Sequence, residues 1–197
     1  MTRALRADAA RNRSLLLAAA TEEFASRGMD ASVADIARRA GVGKGTVFRH
    51  FPTKDDLIAA IVLDRVDSLA ELARSLYQAP DAGAALFEFL AAAAGKQQQL
   101  DFSFLRDAGE INDRLASARE RLFAAIVALV ERAQGAGAVR TDVTGLDVIL
   151  MMCVPSHVVS FVPGAGPELW RRYLALVIDG LRPEGAHPLG PASPMSV

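Results

Sequence analysis

The sequence has almost no cysteine and little histidine. Cys153 is the single cysteine, which excludes an internal disulfide and any metal site built from several cysteines. Such a chain suits a reducing compartment, and we expect a cytoplasmic protein. The three histidines, His50, His157 and His187, lie far apart in sequence. The residues therefore indicate no metal site, and we expect no cofactor. Cys153 itself lies on an apolar stripe and is interpreted as a small core residue rather than a redox sensor.

Long apolar runs are also missing. The nearest candidate, VILMMCV, stops at Pro155, short of the roughly 18 apolar residues of a membrane span. The N-terminal arginines followed by SLLLAAA imitate a secretory signal, but this run is short and meets Thr21, Glu22 and Glu23 at once. We interpret it as part of the mature fold and expect no membrane partner.

The chain carries no strand pattern, no internal repeat and no assembled catalytic set. No nucleophile, base and orienting group stand at a usable spacing. Acidic neighbours such as Glu22 and Glu23 are explained by solvation and helix capping. We therefore do not expect an enzyme.

Charge is nearly balanced over the whole chain but unevenly distributed. The net charge is -1, yet residues 1–60 hold ten basic and seven acidic side chains, and the remainder holds twelve and sixteen. Such asymmetry is typical of a chain whose one end faces a polyanion. The N-terminal arginines are compatible with a DNA-reaching arm or with a solvated helix start.

What the chain does contain is helical periodicity. Thr-x-x-Asp and Ser-x-x-Asp pairs begin three predicted helices, and glycines end several others. The pattern predicts an all-α fold of about nine helices, followed by a disordered, proline-rich tail over 183–197. The predicted helices cover about 7–27, 32–40, 43–50, 53–78, 80–95, 101–107, 110–134, 144–160 and 167–181.

The segment AGVGKGTVFRHF, residues 40–51, superficially resembles a phosphate-binding loop. A P-loop requires Gly-Lys followed by Ser or Thr, whereas Gly43 and Lys44 are followed by Gly45. The preceding VADIARRA is also helical rather than a buried strand. Two short helices separated by a glycine-containing turn instead predict a helix-turn-helix over about 32–51.

The second helix of this motif has two chemically different faces. Val47 and Phe51 lie four residues apart and are predicted to pack on Phe24 and Ile36. This leaves cationic and hydroxyl groups outward, where a helix in the major groove needs them. Gly43 and Gly45 allow the helix start to approach DNA closely, although each weakens the helix by roughly 0.8–1 kcal/mol relative to alanine.

The N-terminal quarter resembles the DNA-binding domain of TetR-family transcriptional regulators. The joint pattern F-x-x-x-G, S-V-x-D-I-A-x-x-A-G-V-x-K-G-T and F-x-H-F-x-x-K-x-x-L carries the resemblance between about Arg13 and Val62. The resemblance implies an N-terminal three-helix DNA-binding domain, residues 1–55, and a larger helical ligand-binding and dimerisation domain, residues 56–182. It also implies a homodimer.

The resemblance assigns the DNA contacts to three helix starts. The predicted set is Ser32, Val33, Gly43, Lys44, Gly45, Thr46, Phe48, Arg49, His50 and Lys54. Family members commonly carry tyrosine where this chain has Phe48, so a hydroxyl that would reach phosphate is absent. Phe48→Tyr is therefore expected to tighten operator binding and steepen its salt dependence. Arg38 and Arg39 fit either a phosphate contact or a solvated face.

Two further sets are predicted in the larger domain. An apolar effector pocket between helices is predicted to include Phe87, Phe102, Phe104, Phe123, Met151 and His157. Pro155 is expected to kink its helix and free the Met151 carbonyl near His157, although His157 also fits a core or interface position. A dimer interface in an intermolecular four-helix bundle is predicted to include Val148, Met152, Val159, Trp170, Tyr173, Leu174, Val177 and Leu181. The alternative for these stripes is packing within one chain.

These features together predict a sequence-specific DNA-binding transcriptional regulator. We expect a repressor that a small apolar effector releases from a double-stranded operator. The alternatives are a constitutive DNA-binding factor without an effector and a helical small-molecule-binding protein or enzyme.

Overall fold

The computed structural model describes residues 2–98 and 113–190, except 163, 165 and 167. Within these ranges the side chains of residues 2–10, 29, 96–98, 153, 156, 158 and 160 are not described. The chain divides into two compact units, Met1–Arg65 with Gln99–Leu115 and Val66–Gln98 with Ala116–Val197.

The described residues form eight α-helices and one short 3-10 turn, with no strand among them, which confirms the predicted all-α fold. The short helix predicted at 101–107 lies outside these residues. The helices are α1 (Thr2–Arg27), α2 (Val33–Arg39), α3 (Lys44–His50), α4 (Lys54–Leu76), α5 (Ala82–Gln98), α6 (Asp113–Gly135), α7 (Gly145–Ser160) and α8 (Leu169–Leu181).

The first unit packs α1, α2, α3 and the start of α4 around one apolar core. Leu16 and Ala20 of α1 are fully buried, whereas their neighbour Leu15 is exposed. Phe24 joins them one turn later. The other buried members of this core are Leu17, Ala19, Ala31, Ile36, Ala37, Val47, Phe51, Leu57, Ile58, Ala60 and Ile61.

The second unit has its own core. Helices α5, α7 and α8 pack on one another in pairs, and α6 adds Ile126 and Leu129. Leu86, Phe89 and Leu90 of α5 are fully buried. Burying side chains of this size contributes about 1.5–3 kcal/mol each. Helix α7 continues through the buried Pro155.

The capping pairs define helix starts as predicted. Thr53 and Asp56 exchange backbone and side-chain hydrogen bonds at 2.7–3.0 Å before α4. Thr144 and Asp147 do the same before α7, at 2.7–3.3 Å. Each pair satisfies N–H groups that have no partner within the helix.

The described residues after α8, 183–190, contact the loop before α7, and the disorder predicted for 183–197 stays a prediction. Arg140 and Asp142 form a two-bond ion pair at 2.6 and 2.8 Å. Arg140 also donates to the His187 carbonyl, and Asp142 accepts from the Leu189 N–H at 3.0 Å. The Arg140 bonds, followed by the Leu189 bond, hold the pKa of Asp142 well below its usual range. Residues 191–197 lie outside the described range.

In the part of the chain that the structure describes, every helix is too short or too polar to cross a bilayer.

Candidate nucleic-acid interface

Ser32 caps the start of α2, as the sequence predicted. Its oxygen accepts from the Asp35 N–H at 3.2 Å, and its hydroxyl donates to Oδ2 of Asp35 at 2.6 Å. This hydrogen bond, followed by the nearby Arg27 and Arg38, holds the pKa of Asp35 below its ordinary value. Because serine has one hydroxyl proton, donation to a DNA phosphate requires Ser32 to release Asp35.

The turn between α2 and α3 depends on Gly41. Its φ is +68°, a left-handed conformation that glycine adopts without strain. The next N–H, from Val42, donates to the Ala37 carbonyl at 3.0 Å. These are features of a Schellman-type helix end, so α2 stops here and the chain turns into α3.

The start of α3 has an uncrowded backbone. Gly43 precedes the helix without a side-chain cap, and its carbonyl accepts from the Thr46 N–H at 2.8 Å. A Cβ atom added at Gly43 or Gly45 would meet no atom within 4 Å. The glycines are therefore not needed for packing inside the protein, and they leave room outside it.

The two faces of α3 are separated as predicted. Val47 and Phe51 are buried in the same core as Phe24 and Ile36. On the other side, Lys44, Gly45, Phe48 and Arg49 are exposed, and Thr46 and His50 are half-buried. The helix is thus held by its valine and its buried ring, while its cationic groups face outward.

Cationic side chains of this unit lie over aromatic rings. The Lys44 ammonium is 5.9 Å from the centre of the Phe48 ring. The Arg13 guanidinium is 5.4 Å from the Phe51 ring, and the Lys54 ammonium is 5.5 Å from the Phe24 ring. A cation over a ring face at such distances is electrostatically attracted to it.

An ion-pair network joins α1 to α2. Arg39 donates from Nε to Glu23 at 2.7 Å and from Nη1 to Glu22 at 2.8 Å. The Glu23 bond first, and then the Glu22 bond, raise the pKa of Arg39. Arg38 pairs with Asp35, which also lies 3.2 Å from Arg27. Both arginines are paired with carboxylates on a largely solvated face, and their contact with phosphate stays a prediction.

The sequence did not indicate this network. Glu22 and Glu23 were interpreted as solvating residues, but Glu23 is only 4% exposed. Its partner Arg39 lies sixteen residues away, and no local spacing rule identifies such a pair.

The predicted DNA-binding residues all fall within the described chain, at three helix starts and along α3. Ser32 and Val33 lie at the start of α2, and Lys54 begins α4 beside the Thr53 cap. The other seven lie between Gly43 and His50. Their contact with DNA stays a prediction.

The residues of the predicted effector pocket are not gathered in one described cavity. Phe102 and Phe104 lie outside the described residues. His157 is exposed, and its ring contacts the ring of Phe161. Phe87 is half-buried, and the Arg182 guanidinium lies over its ring. Met151 is half-buried. Phe123 does line a cleft of about 360 Å³, with Val127, Val130, Glu131, Gln134, Val143, Thr144, Gly145 and Leu146. Sequence periodicity missed this cleft because the loop before α7 forms one wall.

The predicted dimer residues divide into two groups. Val159, Tyr173 and Val177 are half-buried, whereas the other five are buried in the core of their own chain: Val148, Met152, Trp170, Leu174 and Leu181. The exposed apolar side chains of α7 and α8 are different ones, namely Leu150, Val154, Phe161 (just past α7) and Leu176. The interface assignment itself stays a prediction.

Among the described residues, no three histidine, cysteine or acidic side chains are grouped so as to hold a metal ion.

Comparisons with known proteins match both units. Residues 16–61 match the family model of bacterial regulatory proteins, tetR family. Residues 79–183 match that of the SbtR-like transcriptional regulator C-terminal domain. The chain is also similar to an HTH-type transcriptional repressor of Mycobacterium tuberculosis, with 54% identity over 48 residues. That alignment covers 24% of this chain and spans only 26% of the relative.

Solved structures resemble nearly the whole chain. A TetR transcription regulatory protein from Mycobacterium vanbaalenii is 36% identical, with a TM-score of 0.69, over 90% of this chain and 99% of that one. The TetR transcriptional regulator SCO0520 from Streptomyces coelicolor is 30% identical, with a TM-score of 0.68, over 88% and 99%.

Proposed function

This chain belongs to the TetR family of bacterial transcriptional regulators, and we propose that it is a repressor that a small apolar effector releases from its operator. As a regulator of this family it binds DNA through its helix-turn-helix. The Mycobacterium tuberculosis relative, which is 54% identical over 48 residues, is itself a repressor.

One observation carries the DNA-binding part of the proposal. Helix α3 buries Val47 in the core of the first unit and leaves Lys44, Arg49 and Thr46 on its outer side. A short helix held in this way presents donors to base edges and phosphates while its scaffold stays intact. We propose that α3 enters the major groove, with the starts of α2 and α4 on the flanking phosphates.

A single helix-turn-helix reads few base pairs, so we propose that the protein acts as a dimer on two half-sites. Leu150, Val154 and Phe161 stand at steps of four and seven residues and are 60%, 39% and 72% exposed. The four-residue step places Leu150 and Val154 on one side of α7, and Phe161 directly follows the end of that helix. We propose that they meet a second copy together with Leu176 and the half-buried members of the predicted set.

The effector is proposed to act through a difference in affinity between two states. A ligand that binds the non-DNA-binding state more tightly draws the dimer into that state. Helix α4 belongs to both units and is the proposed transmitter. A changed separation of the two α3 helices breaks their match to grooves about 34 Å apart. The mostly apolar cleft beside Phe123 supports a small apolar ligand in the second unit.

The test begins with a DNA duplex that the protein selects from a random-sequence library. Thermal-shift screening against apolar metabolites and drugs then identifies stabilising compounds, since a ligand at 100 times its Kd stabilises the native state by about 2.7 kcal/mol. We expect some of these compounds to release the selected duplex in a fluorescence-anisotropy titration. Stabilising compounds that all leave DNA affinity unchanged would instead indicate a constitutive DNA binder.

A further inference from the structure

An exposed aromatic ring stands in the middle of the cationic side of α3. Phe48 is 42% exposed, although Val47 beside it is buried. Singly exposed apolar residues are common, so exposure alone assigns no role. The neighbours of the ring are more informative.

The nearest cation belongs to the first residue of the same helix. Lys44 lies four residues before Phe48, which places both side chains on one side of α3. Its ammonium is 5.9 Å from the ring centre, within the distance at which a cation is attracted to an aromatic face. The lysine side chain therefore folds back along the helix instead of extending freely into solvent.

Among the described residues, no other group restrains this ammonium. Within the described part of the chain no carboxylate pairs with Lys44, and the first turn of α3 contains no acidic residue. Lys44 also stands at the positive end of the helix dipole, which repels a cation. Gly43 and Gly45 on either side supply no side chain that could hold it.

We propose that Phe48 is a positioning residue for Lys44. Its ring restrains the Lys44 ammonium through a cation–π contact in the DNA-free protein. This inference rests on the proposed function, because it assumes that α3 binds DNA. A lysine side chain contains four methylene carbons and rotates about the bonds that join them. A lysine that is already restrained loses less conformational entropy on binding a phosphate or base than a freely rotating one. At position 48 the aromatic ring then contributes to DNA binding, and the hydroxyl of the tyrosine that other family members carry is not required.

The geometry is tested on the free protein by NMR. The ring current of Phe48 shifts the Cε protons of Lys44 upfield in the wild type. We expect Phe48→Leu to abolish this shift and Phe48→Tyr, which keeps the ring, to retain it. An unshifted Lys44 in the wild type overturns the proposal, independently of any DNA measurement.

The role is tested by a double-mutant cycle on the selected duplex. Phe48→Leu weakens binding about two- to fivefold, the factor that an exposed cation–π contact supports. The same substitution has no further effect in a Lys44→Ala background, and Phe48→Tyr keeps its coupling to Lys44. An equal loss in both backgrounds overturns the proposal. Phe48→Met replaces Phe48→Leu if the latter fails to fold.

A matched control lies outside the helix-turn-helix. Tyr77 is 43% exposed, and the Arg132 guanidinium lies 5.7 Å from its ring. Tyr77→Leu removes a similar contact and is expected to leave DNA affinity unchanged. If the wild-type protein selects no duplex, the proposed function fails. If it selects one and the cycle shows no coupling, only the positioning role fails.

Discussion

Glu23 is a charged side chain inside an otherwise apolar core. It is 4% exposed, and one of its oxygens accepts from Arg39 at 2.7 Å. The other oxygen lies 3.6 Å from Nε of Arg27 and has no hydrogen-bond partner in the described part of the chain. A buried carboxylate requires such partners because its desolvation is unfavourable. Glu22 binds the same arginine but is 64% exposed.

We predict that Glu23→Ala and Glu22→Ala differ in their effect on stability. Glu23→Ala removes the buried half of the α1–α2 connection and is expected to destabilise the protein by about 1–3 kcal/mol. Glu22→Ala removes an exposed ion pair and is expected to change the free energy of unfolding by about 0.5 kcal/mol or less. Urea titration of both variants measures the difference. Equal effects would show that the network is a surface feature without a structural role.

At the scale of helices, the sequence predicted the helix N-termini better than it predicted the tertiary contacts around each helix. Ser32, Thr53 and Thr144 each form the expected bonds with the aspartate three residues on, because capping is a local interaction. The contacts of His187 and Leu189 were not predicted because their partners, Arg140 and Asp142, lie more than forty residues earlier in the sequence. Local chemistry therefore defines where helices begin, whereas distant contacts decide what covers them.

At the start of α3, one substitution is expected to change protein stability and DNA affinity in opposite directions. Gly45→Ala places a methyl group where no atom lies within 4 Å, so the fold accepts it. We expect a gain of about 0.5–1 kcal/mol in stability, because alanine is the better helix former. DNA affinity is nevertheless expected to fall by about tenfold, since the methyl group occupies the space proposed for DNA.

Thermal denaturation and anisotropy titration of the same variant measure both quantities. Gly135→Ala, at an equally open position at the end of α6, is the control and is expected to leave DNA binding unchanged. Unchanged DNA affinity in Gly45→Ala would contradict a close approach of this helix start.

For the whole molecule, an apolar stripe does not reveal which chain covers it. Trp170, Leu174 and Leu181 were predicted at a dimer interface, yet they fill the core of their own chain. Apolar residues have the same helical spacing in the core of one chain and at a dimer interface, because both exclude water. The sequence likewise could not distinguish core phenylalanines from cavity phenylalanines, because that depends on how the helices are arranged.

The proposed dimer interface can be tested by substitution of its exposed apolar side chains. Phe161→Glu introduces a charge into the proposed interface, and burying an unpaired carboxylate is strongly unfavourable. We expect monomers in sedimentation velocity and at least about tenfold weaker operator binding, because each monomer reaches one half-site. Leu189→Glu, at an exposed apolar residue outside the proposed interface, is the control and is expected to leave the dimer intact. A dimeric Phe161→Glu variant would place the interface elsewhere.

The most direct test of the account is the affinity of the Lys44→Ala, Thr46→Ala double variant for the duplex that the wild type selects. Arg74→Ala removes an exposed cation paired with Glu71 in the second unit and is the matched control. We expect the double variant to lose sequence-specific binding while it keeps its fold, and Arg74→Ala to bind like the wild type. Wild-type affinity in the double variant would contradict the assignment of α3 as the DNA-reading helix.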